Sequence, residues 1–307
     1  MTIHSAGLRS NESFVRASDG TQLYLRERPG PAGAHEPVAL LCDGIACDGF
    51  IWKYLWDSLA TRTRVAHWHY RGHGRSQAPA NPANIRVENL AEDLASVRAA
   101  LGDPEVVLFG HSMGCQVVLE HMRAHAARVR GIVLICGAPG RVTHTFKNSD
   151  VLAQFLPRAI EAVDKHPRLA RALFGSVPPE ISLRVAMATG EIDKDLMDPR
   201  DLLPYLEHMV DIDLPMFLRM LQAAGEHTAE DVLPAVRVPA LVIAGDRDSF
   251  TPPRLAEKMA AALPNGELCM MSATHVAPLE QRALVEEKIN ALFDRLEAPL
   301  DARATPA

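Results

Sequence analysis

Residues 106–118 read Val-Val-Leu-Phe-Gly-His-Ser-Met-Gly-Cys-Gln-Val-Val, so an apolar run enters Gly110-His111-Ser112-Met113-Gly114 and a helix-like segment leaves it. A G-x-S-x-G turn between a strand and a helix forces its serine into a strained, exposed position and frees the hydroxyl to attack a carbonyl. Gly110 and Gly114 are needed because a Cβ at either place would collide with neighbouring backbone. By composition alone such a pentapeptide arises in about one chain in ten of this length, so the flanks carry the argument. Val106 to Phe109 is short, β-branched and apolar, as a buried parallel strand should be. From Cys115 to Ala126, the residues Val118, Met122 and Ala126 share one helical face, with Glu120 and Arg123 off it. The first N–H groups of that helix would face charge developing on a bound carbonyl oxygen.

An activated serine needs a base, and the base needs an orienting acid. Pro239 to Gly245 has a buried-strand pattern and runs into Asp246-Arg247-Asp248-Ser249-Phe250-Thr251-Pro252. Glu267 to Met271 is another short strand, followed by Ser272-Ala273-Thr274-His275 and a helix opening at Pro278. Serine, aspartate and histidine then each stand just past a strand, on the edge where open parallel sheets bind ligands. That order is far more specific than the pentapeptide.

On these residues the chain resembles an α/β-hydrolase-fold protein of the kind with a helical cap after the sixth strand, over about residues 12–296. The resemblance implies a mostly parallel, eight-stranded, twisted sheet with helices on both faces and an inserted helical cap. It makes Ser112 the nucleophile, Asp248 the acid and His275 the base, and leaves Asp246 structural. The Leu-Cys-Asp-Gly-Ile stretch at 41–45 matches the family's loop after the third strand, so the backbone N–H groups of Ile45 and Met113 would form an oxyanion hole. Two positions depart from the family pattern. His-Gly after the third strand is here Asp43-Gly44, and the Asp of Asp-x-x-Gly-x-Gly-x-Ser is here His69, in His-Tyr-Arg-Gly-His-Gly-Arg-Ser at 69–76. The compensating swap predicts a charge-assisted Asp43–His69 pair joining the two loops, since a lone buried carboxylate costs several kcal/mol.

Around this centre the chain alternates. Ser13–Ser18 and Gln22–Arg28 flank Asp19-Gly20 as a hairpin, Val38–Cys42 and Val65–Tyr70 read as strands, and 49–61 and 87–101 read as helices. Gly131–Cys136 is a further apolar strand. Between about Arg141 and Val236 the alternation stops, and apolar residues recur at helical spacing with breaks at Pro178-Pro179, Pro199, Pro204 and Pro215. The division expected is a core at 1–140 and 237–297, a helical cap at 141–236 and a disordered tail at 298–307. Met187, Met197, Met209, Met216, Phe217, Met220 and Leu221 are the candidates to line an apolar substrate cavity under that cap.

A formal net charge of −6 with no basic block argues against nucleic acid and anionic membranes, and no apolar run is long enough to span a bilayer. Met1 to Asn11 lacks a signal peptide's apolar stretch, and Cys42, Cys136 and Cys269 sit in apolar strands, which suggests a reducing, cytoplasmic setting. No Cys or His spacing resembles a zinc site, and His121 and His125 read as structural. The chemistry expected is cofactor-free and metal-free hydrolysis of an ester-like small molecule. Acyl transfer, perhydrolysis or carbon–carbon cleavage by the same triad, and a slow-turnover ligand receptor, stay open at this point.

Overall fold

The computed structural model of the chain describes residues 10–32 and 37–297. The expected disordered tail at 298–307, and most of the N-terminal stretch read for a leader, lie outside the described residues. β1 (Asn11–Arg16) and β2 (Gln22–Arg28) form an antiparallel hairpin, with Gly20 at φ 89 in its turn. Then come β3 (Val38–Cys42), α1 (Lys53–Ala60), β4 (Val65–Trp68), α2 (Val87–Ala100), β5 (Val106–His111), α3 (Met113–His125) and β6 (Val129–Ile135). A helical stretch follows, with α4 (Val151–Lys165), α5 (Pro167–Phe174), α6 (Pro179–Thr189), α7 (Leu203–Asp211) and α8 (Leu214–Glu226). The alternation resumes with β7 (Ala240–Gly245), α9 (Pro253–Ala262), β8 (Gly266–Met271), α10 (Ala277–Glu280) and α11 (Arg282–Glu297).

The strands form one sheet in the order β1-β2-β4-β3-β5-β6-β7-β8. β2 pairs antiparallel with β1 and β4, and every pair from β4 to β8 is parallel. This is the mostly parallel α/β architecture expected. β5 shows why its apolar run is unbroken. Val106 and Leu108 pack with Leu90 and Leu94 of α2 and Val118 of α3 on one face, while Val107 and Phe109 pack with Ile289 and Phe293 of α11 on the other. Side chains alternate across a strand, so a sheet covered on both faces needs apolar residues at every position.

The strand order reverses between β3 and β5, and loops leaving those two ends diverge to leave a crevice. The helical insert between β6 and β7 hangs over that edge. Its two ends are tied together, with Arg141 N–H donating to His227 O at 2.9 Å and Ala229 N–H to Pro139 O at 2.7 Å. Behind the crevice, buried Arg71 fastens the loop after β4. Its guanidinium donates to Asp93 of α2 at 2.5 and 2.7 Å and to Asp19 of the hairpin turn at 2.7 Å.

Burial also leaves the fold sensitive to acid. Burial first, and neighbouring imidazoles second at His69 and His111, lower His69 to about 3 and His111 to about 4. Burial likewise holds His73 and His121 at about 4. The ordinary value is 6.5, so between there and about pH 4 the unfolded chain binds more protons than the folded one. Stability is therefore full above that window and falls as the pH drops through it. Urea unfolding should show a midpoint that declines steadily from about pH 7 to about pH 5; a flat midpoint over that range would contradict the burial of these imidazoles.

Candidate active site

Ser112 is the single residue between β5 and α3, at φ 54 and ψ −119. A side-chain-bearing residue held there costs about 1–3 kcal/mol. The turn is clamped by Ser112 N–H donating to Ile135 O and Cys115 N–H donating to Ser112 O, both at 3.0 Å. A Cβ on Gly110 would lie 2.5 Å from Gly114 O, and a Cβ on Gly114 would lie 2.4 Å from Cys42 O. Only glycine lets the Ser112 turn touch the end of β3 so closely.

His275 sits on the loop between β8 and α10, and Asp248 on the loop after β7. His275 Nδ1–H donates to Asp248 Oδ2 at 2.8 Å, which leaves Nε2 as the free ring nitrogen. Asp248 Oδ1 accepts the Phe250 and Thr251 N–H groups, each at 2.9 Å, and Oδ2 accepts Thr251 Oγ–H at 2.8 Å. Burial opposes the charge on Asp248, but the His275 interaction and the Thr251 bonds outweigh it and hold the carboxyl below the usual carboxylate range. Asp246 instead accepts Ala273 N–H at 3.2 Å, bracing the loop that carries His275. Ser112 and His275 line one cavity, though no hydrogen bond joins them here; such bonds often tighten only with substrate bound.

Two supports of His275 carried no signal in the sequence beyond residue type. His111, the residue before the serine, donates from Nε2 to His275 O at 3.0 Å, and its ring lies 5.0 Å from the His275 ring. Glu280 accepts Thr274 N–H at 2.6 Å and Thr274 Oγ–H at 2.8 Å, and also Asp193 N–H of the insert at 2.7 Å. The loop that carries His275 is thereby tied to the helical insert.

The expected Asp43–His69 pair is corrected. Fully buried Asp43 accepts from His67 Nε2 at 2.8 Å and from Trp52 Nε1 at 2.7 Å. His67 Nδ1 in turn accepts from Arg26 Nε at 3.1 Å, which places the imidazole proton on the nitrogen facing Asp43. Burial works against the Asp43 charge, and the His67 and Trp52 bonds keep its carboxyl below the ordinary value nonetheless. His69 lies beside His67, its ring 5.3 Å away, but bonds elsewhere. Its Nδ1 accepts Arg75 N–H at 2.9 Å and its ring packs 4.6 Å from Tyr24. It thus supplies within its own loop the acceptor that an aspartate would supply there. Tyr70 OH completes the clamp by donating to Asp43 O at 2.7 Å. The next residues, Gly44 and Ile45, lead past Ser112, and neither the Ile45 N–H nor the Met113 N–H meets a protein acceptor among the described residues.

These groups open on a cavity of about 660 Å³ between the sheet edge and the insert. Its walls are mainly apolar, with Phe50, Leu202, Tyr205, Phe217 and Leu221 among them, and Glu191 is its one carboxylate among the described residues. Glu191 is engaged by Lys147 at 2.7 Å and by Ser249 Oγ–H. Phe217 and Leu221 line the cavity as expected, but none of the five methionines does. Met197 and Met220 are buried in the cores, and Met216 packs over Gly72. His121 bonds Ala91 O and Arg98, and among the described residues no three His, Cys, Asp or Glu gather as metal ligands. No helix among them is long and apolar enough to cross a membrane.

A family model described as alpha/beta hydrolase fold matches residues 37–280. The chain is 28% identical over 293 residues to the polyketide synthase ThaQ of Burkholderia thailandensis, covering 92% of this chain and 13% of that protein. It is 23% identical over 307 residues to the probable oxidoreductase EphD of Mycobacterium tuberculosis, covering 95% and 51%. The chain thus spans about an eighth and about half of these two relatives. An esterase from Exiguobacterium antarcticum superposes with a TM-score of 0.71 at 22% identity, covering 92% of this chain and all of that one.

A double-mutant cycle separates the two histidines. Asp43→Asn with His67→Gln should show a coupling above about 1 kcal/mol in urea unfolding, and Asp43→Asn with His69→Gln a much smaller one. Equal couplings would return His69 to the role first expected for it.

Proposed function

We propose that this chain, which belongs to the α/β-hydrolase fold family, is a serine hydrolase that cleaves a carboxylic ester, thioester or lactone of a medium, largely apolar substrate. One observation carries the reading. Ser112, the free nitrogen side of the Asp248-bound His275, and the Gly44–Ile45 loop meet at a single apolar cavity.

In this mechanism His275 Nε2 takes the Ser112 Oγ proton as the oxygen attacks the substrate carbonyl. Asp248 fixes the tautomer and stabilises the imidazolium. The unengaged Ile45 and Met113 N–H groups receive the tetrahedral oxyanion, each worth about 3 kcal/mol. Collapse expels the alcohol or thiol, which takes the proton from His275, and leaves the acyl group on Ser112. Water, deprotonated by His275, then releases the acid and regenerates the serine. The apolar walls favour an acyl group without charge, because among the described residues no Lys or Arg lines the cavity to meet one.

Burst and steady-state hydrolysis of p-nitrophenyl esters of graded acyl length tests the reading. A burst is expected that Ser112→Ala abolishes, with kcat reduced about 10⁵-fold or more. Asp248→Asn should lower kcat about 10⁴-fold at little cost in KM. No burst and no turnover on any ester in the series would overturn the proposal.

A further inference from the structure

Eleven large apolar side chains stand exposed among the described residues, and eight of them lie between Val151 and Leu196. They are regularly spaced. Val151 and Phe155 on α4, Leu169 and Leu173 on α5, and Ile181 and Val185 on α6 are each four residues apart, so each pair makes one stripe on its helix. Leu169 and Leu173 are 59% and 64% exposed. These stripes are not the insert's inner face, since α4 buries Leu156 and Val163 and α6 buries Leu183. They run into the cavity instead: Val177 and Val185 are both exposed and cavity-lining, as is Phe250 across the opening. At these residues the exposed apolar surface meets the cavity wall.

The chain's net charge of −6 argues against an anionic partner for the whole surface, and residues 151–196 are balanced at six Lys and Arg against six Asp and Glu, but the pairing of those charges is uneven. Five of those six acids are already engaged, Glu161 by Lys165, Asp164 by Arg219, Glu191 by Lys147, Asp193 by Arg247 and Asp195 by Lys194. Arg158, Arg168, Arg171 and Arg184 are exposed and have no carboxylate partner among the described residues. Arg158 follows Phe155 by three positions and Arg184 follows Ile181 by three, which sets each guanidinium beside its stripe. In α5 the two arginines lie on the face opposite Leu169 and Leu173.

We propose that this collar docks on an anionic lipid surface and that the cavity receives its ester from that surface; the second clause rests on the serine-hydrolase reading. Amphipathic helices with arginines beside an apolar stripe settle at the boundary of headgroups and acyl chains, with the apolar stripe in the chains. The apolar path from collar to cavity then spares an apolar ester a passage through water. A second copy of the chain is the poorer occupant. A two-fold interface sets the same patch against itself and would bring unpaired arginines face to face.

The test uses the full chain and extruded vesicles of equimolar phosphatidylglycerol and phosphatidylcholine, with pure phosphatidylcholine vesicles alongside. Cosedimentation should be about tenfold stronger or more on the anionic vesicles, and should weaken as salt is raised. Leu169→Ser/Leu173→Ser and Arg158→Glu/Arg184→Glu should each weaken it about tenfold or more. None of these four residues lines the cavity, so both variants should hydrolyse soluble p-nitrophenyl butyrate at the parent rate, which also shows that they fold. Absence of sedimentation, equal binding to both vesicles, unchanged binding by either variant, or a dimer that the leucine variant dissolves would each overturn the docking proposal. If the parent chain sediments as expected but turns over no ester, docking is supported and the serine-hydrolase reading falls instead.

Discussion

Ser112 holds a backbone conformation that its own chemistry does not favour, and the surrounding sheet makes it tenable. β3 and β5 are neighbours in register, so the carbonyls of Cys42 and Asp43 press against Gly114 while Gly110 abuts the first turn of α3. With no side chain on either glycine the strand can stop and the helix begin within one residue. That sharp turn places the serine hydroxyl at the sheet edge and aims the unbonded N–H of Met113 at the same point. The same β3 contact brings Ile45 alongside. The positions of Ser112 and of the Ile45 and Met113 N–H groups are thus consequences of one strand pairing and two missing Cβ atoms.

Buried polar groups keep the other loops from drifting away from this point. Arg26, His67, Asp43 and Trp52 form a chain of hydrogen bonds under the loop that carries Ile45. Removing one member would strand buried donors or a buried charge, at a cost of about 3–5 kcal/mol. His111 and Glu280 do the same for the loop that carries His275. Glu280 also reaches Asp193, while Arg247 beside Asp248 bonds the Asp193 carboxylate at 2.8 Å. The helical insert therefore shares its anchorage with the loops that carry Asp248 and His275, so a shift of the insert bears on the geometry of that pair.

The sequence was most legible where burial is two-sided. Val38–Cys42 and the strand before Asp246 were readable almost to the residue, because a fully covered parallel strand must be apolar throughout and is closed by Gly or Pro. Ser112 and Asp248 were readable for the same reason, as each follows such a strand, whereas His275 follows β8, a half-exposed edge strand marked only by its short apolar run. Boundaries failed where a tertiary bond competes with the local pattern. β4 stops at Trp68 rather than Tyr70, since Tyr70 turns its hydroxyl to the Asp43 carbonyl. His67 and His69 lie on the same side of their strand by alternation, so pattern alone could not choose Asp43's partner. In the insert, Pro179, Pro204 and Pro215 sit in first helical turns, where a missing N–H costs nothing. Helical period marked the methionines as one-sided there but not which side looks on the cavity, and the cores took them.

Labelling with a fluorophosphonate, followed by peptide mass mapping, tests most directly whether the folded turn makes Ser112 a nucleophile. Ser112 Oγ would displace fluoride and form a phosphonyl ester as its proton passes to His275. The expected result is a single adduct on the peptide that contains Ser112, lost after denaturation in urea and strongly slowed in His275→Ala. Labelling that spares Ser112, or that reaches it equally in the unfolded chain, would contradict the claim that the fold activates it.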